Sequence, residues 1–104
     1  MASFTLHDLE QRVKARAQAS ADVSYTRRLL DQGVDQCAKK LGEEAIETIL
    51  AAIAEDRERL IAETGDLIYH LLVVLAARGI ALAEVEAELA KRSQQSGLEE
   101  KARR

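Results

Sequence analysis

The stretch from Leu67 to Leu75 constrains the fold more than any other part of the chain. At about 100° per residue, its apolar side chains cover nearly the whole circumference of a helix. A helix that is apolar on all sides must be covered on all sides. The other helices that 104 residues can form are too few and too short to do this alone. We therefore expect a second copy of the chain to cover it, in a homodimer or higher homo-oligomer, most commonly of closed two-fold symmetry.

The rest of the chain predicts an all-α bundle of four to five helices, in one domain spanning residues 1–104. Proline is absent and only five glycines occur, so strands and tight turns have little support. Periodicity predicts a first helix over Thr5–Ala19, which fills an N-terminal unit of residues 1–20. Further helices are expected within 25–33 and over 34–54, 57–78 and 83–93, and residues 94–104 are expected to be a frayed tail.

Charge and composition limit the partners and the compartment. A net charge of −3 offers no basic surface for general nucleic-acid binding. The single Cys37 fits a reducing compartment, and we interpret it as a small packing residue. The longest unbroken apolar run, residues 71–77, is too short to span a membrane, and the N-terminal residues lack the pattern of a signal peptide. We expect a cytoplasmic protein with neither a membrane nor a nucleic acid as partner.

Four acidic residues indicate the chemistry: Glu44 and Glu47 in one predicted helix, and Glu63 and Asp66 in the next. Each pair has i,i+3 spacing, so its carboxylates share a helix face. The spacing alone is weak, because 18 acidic residues in 104 give about three such pairs by chance. Helices joined by a tight turn at 55–56 run antiparallel, however, and this sets Glu47 level with Glu63 and Glu44 level with Asp66. Carboxylates entering a core must be paired or bound to a cation, and Mg²⁺ prefers such oxygens together with substrate phosphates.

Three segments carry a family resemblance: SYTRRLL at 24–30, KKLGEEAIE at 39–47 and ETGDLIYHLLVVL at 63–75. Together they resemble the phosphoribosyl-ATP pyrophosphatase family of histidine biosynthesis, whose members are small relatives of the all-α, MazG-like nucleotide pyrophosphatases. The ExxE and ExxD signature of that superfamily matches residues 44–47 and 63–66. The resemblance covers residues 24–92 and departs from the family at Thr64 and Gly65, where relatives usually carry small Ala-like residues.

The resemblance implies a Mg²⁺-dependent hydrolysis of the α–β phosphoanhydride of 1-(5-phosphoribosyl)-ATP to phosphoribosyl-AMP and pyrophosphate. It implies that the four acids hold the metal, and that one carboxylate not fully engaged by the metal activates a water. Glu43, beside them, is a candidate catalytic assistant. The candidate substrate contacts are Lys40, Tyr25, Thr26, Arg27 and Arg28.

Other functions stay open at this stage. A housecleaning pyrophosphatase acting on dNTPs would share the metal site, and a helical interaction module would need no metal. A di-iron bundle needs Glu-x-x-His motifs, and Phe4 and Leu67 occupy the positions three before His7 and His70, so this class is excluded.

Several of these residues also have a purely structural interpretation. Lys40 can pair with Glu43 or Glu44 along its own helix. His70 is more typical of a hydrogen-bonded core histidine than of a metal ligand, because the expected metal prefers oxygen. The roles of Arg27, Arg28 and Arg92 stay open between a solvated face and phosphate binding.

Overall fold

Five helices make up the computed structural model, which describes residues 3–94. They are α1 (Leu6–Ala17), α2 (Tyr25–Asp31), α3 (Val34–Ala54), α4 (Arg57–Ala77) and α5 (Leu82–Arg92). Within residues 3–94 no strand occurs, so the predicted all-α fold is confirmed. Apart from Gln94, the predicted tail lies outside the described residues.

Three of the five helices begin at residues whose side chains accept backbone N–H bonds. Thr5 forms a capping box with Asp8 at the start of α1, Ser24 caps α2, and Asp56 accepts from the N–H of Arg59 at the start of α4. Gly33 separates α2 from α3 with a φ of 95°, which L side chains rarely adopt. Compared with the sequence prediction, α3 has the same bounds. The prediction ran two residues too far at the end of α1, since Gln18 and Ala19 make i→i−3 bonds there instead of continuing the helix.

The antiparallel pair of α3 and α4 is the most extensive contact in the fold. A turn at Glu55 and Asp56 joins the two helices, so they run back along one another. Near the middle of α3, the hydroxyl of Thr48 donates to the carbonyl of Glu44 at 2.8 Å and lies 3.1 Å from the carbonyl of Glu63 on α4. This contact fixes the register and brings the middle of α3 against the first half of α4.

All five helices contribute to a small apolar core. It consists of Val13, Leu29, Cys37, Leu72, Val73 and Leu82. The Cys37 thiol donates to the carbonyl of Leu29 at 3.2 Å, and burial raises the pKa of this thiol. Cys37 is therefore a packing residue, as its position on a helix predicted.

A second apolar surface is left uncovered by residues 3–94. Leu72 and Val73 of α4 are buried, whereas the neighbouring Leu71 is 42% exposed. We define the isoleucine face as the exposed apolar side chains along α3 and α4: Ile46, Ile49, Leu50, Ile53 and Ile61. The residues that the structure describes do not cover this side of α3.

By length and composition alone, α4 is apolar enough to cross a membrane. Core helices of soluble proteins pass the same test. Because α4 packs along α3 and holds Glu63 and His70 in buried positions, it is consistent with a soluble core helix.

A buried hydrogen bond between α2 and α4 gives a test of this packing. The hydroxyls of Thr26 and Tyr69 lie 2.6 Å apart, and burial raises the pKa of Tyr69. We expect Tyr69→Phe to lower the free energy of unfolding by about 1–2 kcal/mol, because it leaves the Thr26 hydroxyl buried without its partner. Adding Thr26→Val should restore much of the loss, as urea denaturation of the single and double variants would measure. If the effects of the two substitutions on the free energy of unfolding simply add, the two hydroxyls are not coupled and this interpretation is wrong.

Candidate metal and phosphate site

Three carboxylates converge where α3 meets α4. Glu44 lies on α3, and Glu63 and Asp66 lie one turn apart on α4. One oxygen from each of these residues lies within 4.8 Å of the others. The pairing of α3 with α4 near Thr48 brings Glu44 of the first acidic pair together with both acids of the second.

The three acids stand in an open concavity of about 470 Å³, which we call the acidic concavity. Its lining is almost entirely charged: Lys40, Glu43, Glu44, Glu47, Arg59, Glu63 and Asp66. Glu47 therefore faces the same space, but its carboxylate is not part of the trio that lies within 4.8 Å. Glu43 stands at the rim beside Lys40, with about half of its side chain exposed.

Burial differs sharply among the acids. The side chain of Glu63 is only 8% exposed and that of Glu44 only 14%, whereas Glu47 and Asp66 are exposed. A carboxylate as buried as Glu63 is costly unless a cation accompanies it. The oxygen-only donor set of the trio suits a hard divalent cation.

Arg59 supplies a cation to Glu63 in this structure. Its Nη2 lies 2.9 Å from Oε1 of Glu63, and its Nε lies 3.9 Å from Glu55. The sequence analysis missed this residue. The sequence did contain a signal for this ion pair, because an Arg four positions before a Glu on a helix is a recognised ion-pair spacing.

Lys40 carries a second positive charge into the acidic concavity. Its Nζ lies 3.6 Å from both Glu43 and Glu44, which is the structural pairing considered for this residue. The neighbouring Tyr25 and then these two carboxylates raise the pKa of Lys40 above its ordinary range. Lys40 is therefore a permanent cation at neutral pH.

The α2 residues predicted to contact substrate are placed differently from one another. Tyr25 lies at the surface beside Lys40, and both line a groove of about 200 Å³ that continues from the acidic concavity. Thr26 is buried against Tyr69. Arg27 binds Asp31 at 2.8 Å and the carbonyl of Ala17 at 3.2 Å.

Arg28 is directed toward the α1–α2 loop. Its guanidinium donates to the carbonyls of Ala21 and Asp22. Neither Arg27 nor Arg28 lines the acidic concavity.

His70 is a core histidine. Its Nδ1 lies 2.8 Å from the carbonyl of Asp66, which can only accept, so Nδ1 carries the proton. Among the described residues its buried Nε2 has no hydrogen-bond partner, and the ring packs edge-on against Tyr69 and Tyr25. Arg92 pairs with Glu88 on its own helix at 3.1 Å.

The comparisons with known proteins agree with this geometry. A family model described as phosphoribosyl-ATP pyrophosphohydrolase matches residues 6–93. Phosphoribosyl-ATP pyrophosphatase 1 of Bradyrhizobium diazoefficiens is 61% identical over 104 residues, which is the whole of this chain and 98% of the relative. The phosphoribosyl-ATP pyrophosphatase of Azorhizobium caulinodans is 62% identical over 100 residues, or 96% of this chain and 92% of the relative. The phosphoribosyl-ATP pyrophosphatase of Rhizobium meliloti is 53% identical over 104 residues, covering 97% of that protein.

An all-helical fold whose paired helices bring ExxE and ExxD acids together defines the class of all-α, MazG-like pyrophosphatases. Within that class, the chain belongs to the phosphoribosyl-ATP pyrophosphohydrolase family. The resemblance found in the sequence is thereby confirmed.

Arg59 allows a stability test of the metal-free site. We expect Arg59→Gln to lower the free energy of unfolding by about 1 kcal/mol in EDTA, because Glu63 loses its cation while the exposure of Arg59 limits the effect. Arg57→Gln is the matched control, since Arg57 is exposed on the same helix turn and has no ion pair among the described residues. Equal effects of the two substitutions on urea denaturation would contradict a specific role for the Arg59–Glu63 pair.

Proposed function

We propose that this protein hydrolyses the α–β phosphoanhydride of 1-(5-phosphoribosyl)-ATP, giving phosphoribosyl-AMP and pyrophosphate, as an early step of histidine biosynthesis. The observation that carries the proposal is the convergence of Glu44, Glu63 and Asp66 in a chain that matches the family over residues 6–93. The names of relatives aligned over nearly their full length support the substrate.

Mg²⁺ is the cofactor that we assign to the acidic concavity. The carboxylate oxygens favour a hard cation, and Mg²⁺ is usually held by a few carboxylates together with substrate phosphates and water. When bound, such an ion neutralises phosphate charge and lowers the pKa of a bound water. Glu44, Glu63 and Asp66 would hold it, with Glu47 completing the set of four acids.

Glu47 is also the best candidate to activate the attacking water. It faces the acidic concavity, and its carboxylate lies outside the group formed by the other three acids. In the proposed reaction, the water oxygen attacks phosphorus, a carboxylate takes the water proton, and the bond between the α- and β-phosphates breaks. The leaving electron pair stays on the departing phosphate oxygen, and Glu43 would assist from the rim.

Two cations of the chain are suited to the charge of the phosphates. Lys40 is a point charge at the rim of the acidic concavity. Arg59 is paired with Glu63, and a bound metal would compete for that carboxylate and free the guanidinium for phosphate. Tyr25 would contact the nucleoside next to Lys40, and direct contact of substrate with Thr26, Arg27 or Arg28 stays a prediction.

Substitutions that remove one carboxylate charge test the site. We expect Glu47→Gln and Asp66→Asn each to lower kcat by about 10²–10⁴-fold, because each removes a group needed to hold the metal or to accept the proton. Pyrophosphate release from phosphoribosyl-ATP, with Mg²⁺ and with EDTA, measures this, and circular dichroism checks that the helices persist. Glu58→Gln, which removes an acid of α4 outside the acidic concavity, should keep full activity. Mg²⁺-dependent turnover by both site variants would refute the assignment, and turnover of dNTPs alone would move the protein to the housecleaning branch.

We also propose that the protein works as a homodimer or higher homo-oligomer joined through the isoleucine face. This face leaves Ile46, Ile49, Ile53 and Ile61 more than half exposed on the two longest helices. Exposed apolar side chains that are contiguous along helices are typical of an interface. We further propose that the chain acts in the cytoplasm as a single domain.

An exposed pair of residues tests the interface. Ile53 is 79% exposed on the isoleucine face, and Val23 is 78% exposed in the α1–α2 loop. We expect Ile53→Lys to raise the dimer dissociation constant at least about tenfold, because a charge would be buried in an apolar contact. Val23→Lys should leave the mass measured by sedimentation unchanged. A monomeric wild-type chain, or a dimer unaffected by Ile53→Lys, would contradict the proposed interface.

A further inference from the structure

A second charged pocket lies on the far side of Tyr25 from the acidic concavity. Arg12 and Arg16 stand one turn apart on α1 and line a concavity of about 180 Å³ together with Tyr25, Thr26 and Tyr69. Among residues 3–94, no carboxylate lines this pocket, which we call the arginine pocket. Its charge is thus opposite to that of the acidic concavity.

The two arginines differ from their neighbours in their partners. Arg27 and Arg59 each bind a carboxylate at 2.8–2.9 Å, whereas Arg12 and Arg16 have no carboxylate within ion-pair distance in the part of the chain that the structure describes. Asp8 lies one turn before Arg12, and its carboxylate accepts the backbone N–H of Thr5 at 2.9 Å. Hydrogen bonds from Thr5 lower the pKa of Asp8, and the positive charge of Arg12 adds to this effect without an ion pair.

The Arg12 guanidinium stacks 5.3 Å from the Phe4 ring centroid, an arrangement that leaves N–H donors at its edge available. Arg16 lies close enough to Tyr69 to oppose, in part, the burial that raises the pKa of this phenol. Both guanidinium groups therefore stand at the pocket with donor capacity that no protein carboxylate consumes.

Hydroxyl groups complete the polar lining. Thr26 and Tyr69 share one hydrogen bond of 2.6 Å, so one of their two hydroxyl protons is not used in it. Guanidinium and hydroxyl donors facing one small space match the oxygens of a phosphate monoester, and Arg binds phosphate in a bidentate manner.

A groove that has lining residues in common with both lies between the arginine pocket and the acidic concavity. The groove between them is lined by Tyr25, Lys39, Lys40 and Glu43. It shares Tyr25 with the arginine pocket, and it shares Lys40 and Glu43 with the acidic concavity. One extended ligand can therefore lie along the surface from the carboxylates to the arginines.

We propose that Arg12 and Arg16 bind the 5-phosphate of the N1-linked phosphoribosyl group while the triphosphate lies in the acidic concavity. This inference rests on the proposed function, because it assigns the second end of that substrate. ATP and dNTPs lack this remote phosphate, so the arginine pocket is the element that selects the phosphoribosylated nucleotide. Tyr25, between the two pockets, lies where the adenine would pass.

The kinetic test compares two substrates, 1-(5-phosphoribosyl)-ATP and 1-ribosyl-ATP, which lacks only the 5-phosphate. We expect Arg12→Gln and Arg16→Gln each to lower kcat/KM for the phosphorylated substrate about 10- to 100-fold, mainly through KM. The same variants should leave the low kcat/KM for 1-ribosyl-ATP unchanged, and Arg16→Lys should restore part of the loss. Lys14→Gln removes a charge from α1 outside the arginine pocket and should change neither value. Equal effects on both substrates, or none, would overturn the proposal.

A binding measurement separates this inference from the proposed function. Ribose 5-phosphate, titrated into the wild-type protein, should shift the NMR signals of the Arg12 and Arg16 Nε–H groups, and ribose should not. These shifts should vanish in the Arg12→Gln/Arg16→Gln variant. Loss of Mg²⁺-dependent turnover with these shifts intact would count against the proposed reaction alone. Normal turnover without the shifts would overturn the arginine pocket alone.

Discussion

The concentration of negative charge at the contact of α3 and α4 is the constraint on which the rest of the structure depends. Like charges brought together in partly buried positions repel one another, and burial disfavours their ionised form. The fold meets this cost with positive side chains from the same two helices: Lys40 near Glu44, and Arg59 on Glu63. The extensive packing of α3 along α4 keeps the helices together, and the hydroxyl of Thr48 lies against the carbonyl of Glu63 within it. These acids lower the stability of the fold, and they are also the groups that would hold the proposed metal.

Helix identity could be predicted from the sequence because it depends on local rules. Periodicity, the absence of proline and the N-cap Asp56 define α3 and α4 without knowledge of the tertiary contacts. The ends of the helices were predicted less accurately. After Ala17 the chain changes to i→i−3 bonds, and no residue type in the sequence marks this change. The pairing of the two acidic motifs was predictable as well, since a short turn forces antiparallel helices into one register.

The detailed partners of charged side chains were less predictable. Arg27 and Arg28 were candidates for phosphate binding in the sequence, but the carbonyl of Ala17 at the end of α1 accepts from Arg27, and that of Ala21 in the α1–α2 loop accepts from Arg28. Which carbonyls are left without partners depends on the loop conformation, and sequence spacing does not reveal it. The separation of Glu47 from the other three acids is likewise a matter of side-chain direction around the helix.

The Arg59–Glu63 pair affects whether folding of this protein depends on metal binding. The chain itself supplies a counter-cation to Glu63, so we expect the folding of this region not to depend on a bound divalent ion. Under the proposed function, binding of metal and substrate would replace this internal ion pair. The supply of divalent cation in the cell would then set how much of the enzyme is active, and it would leave the amount of folded enzyme unchanged.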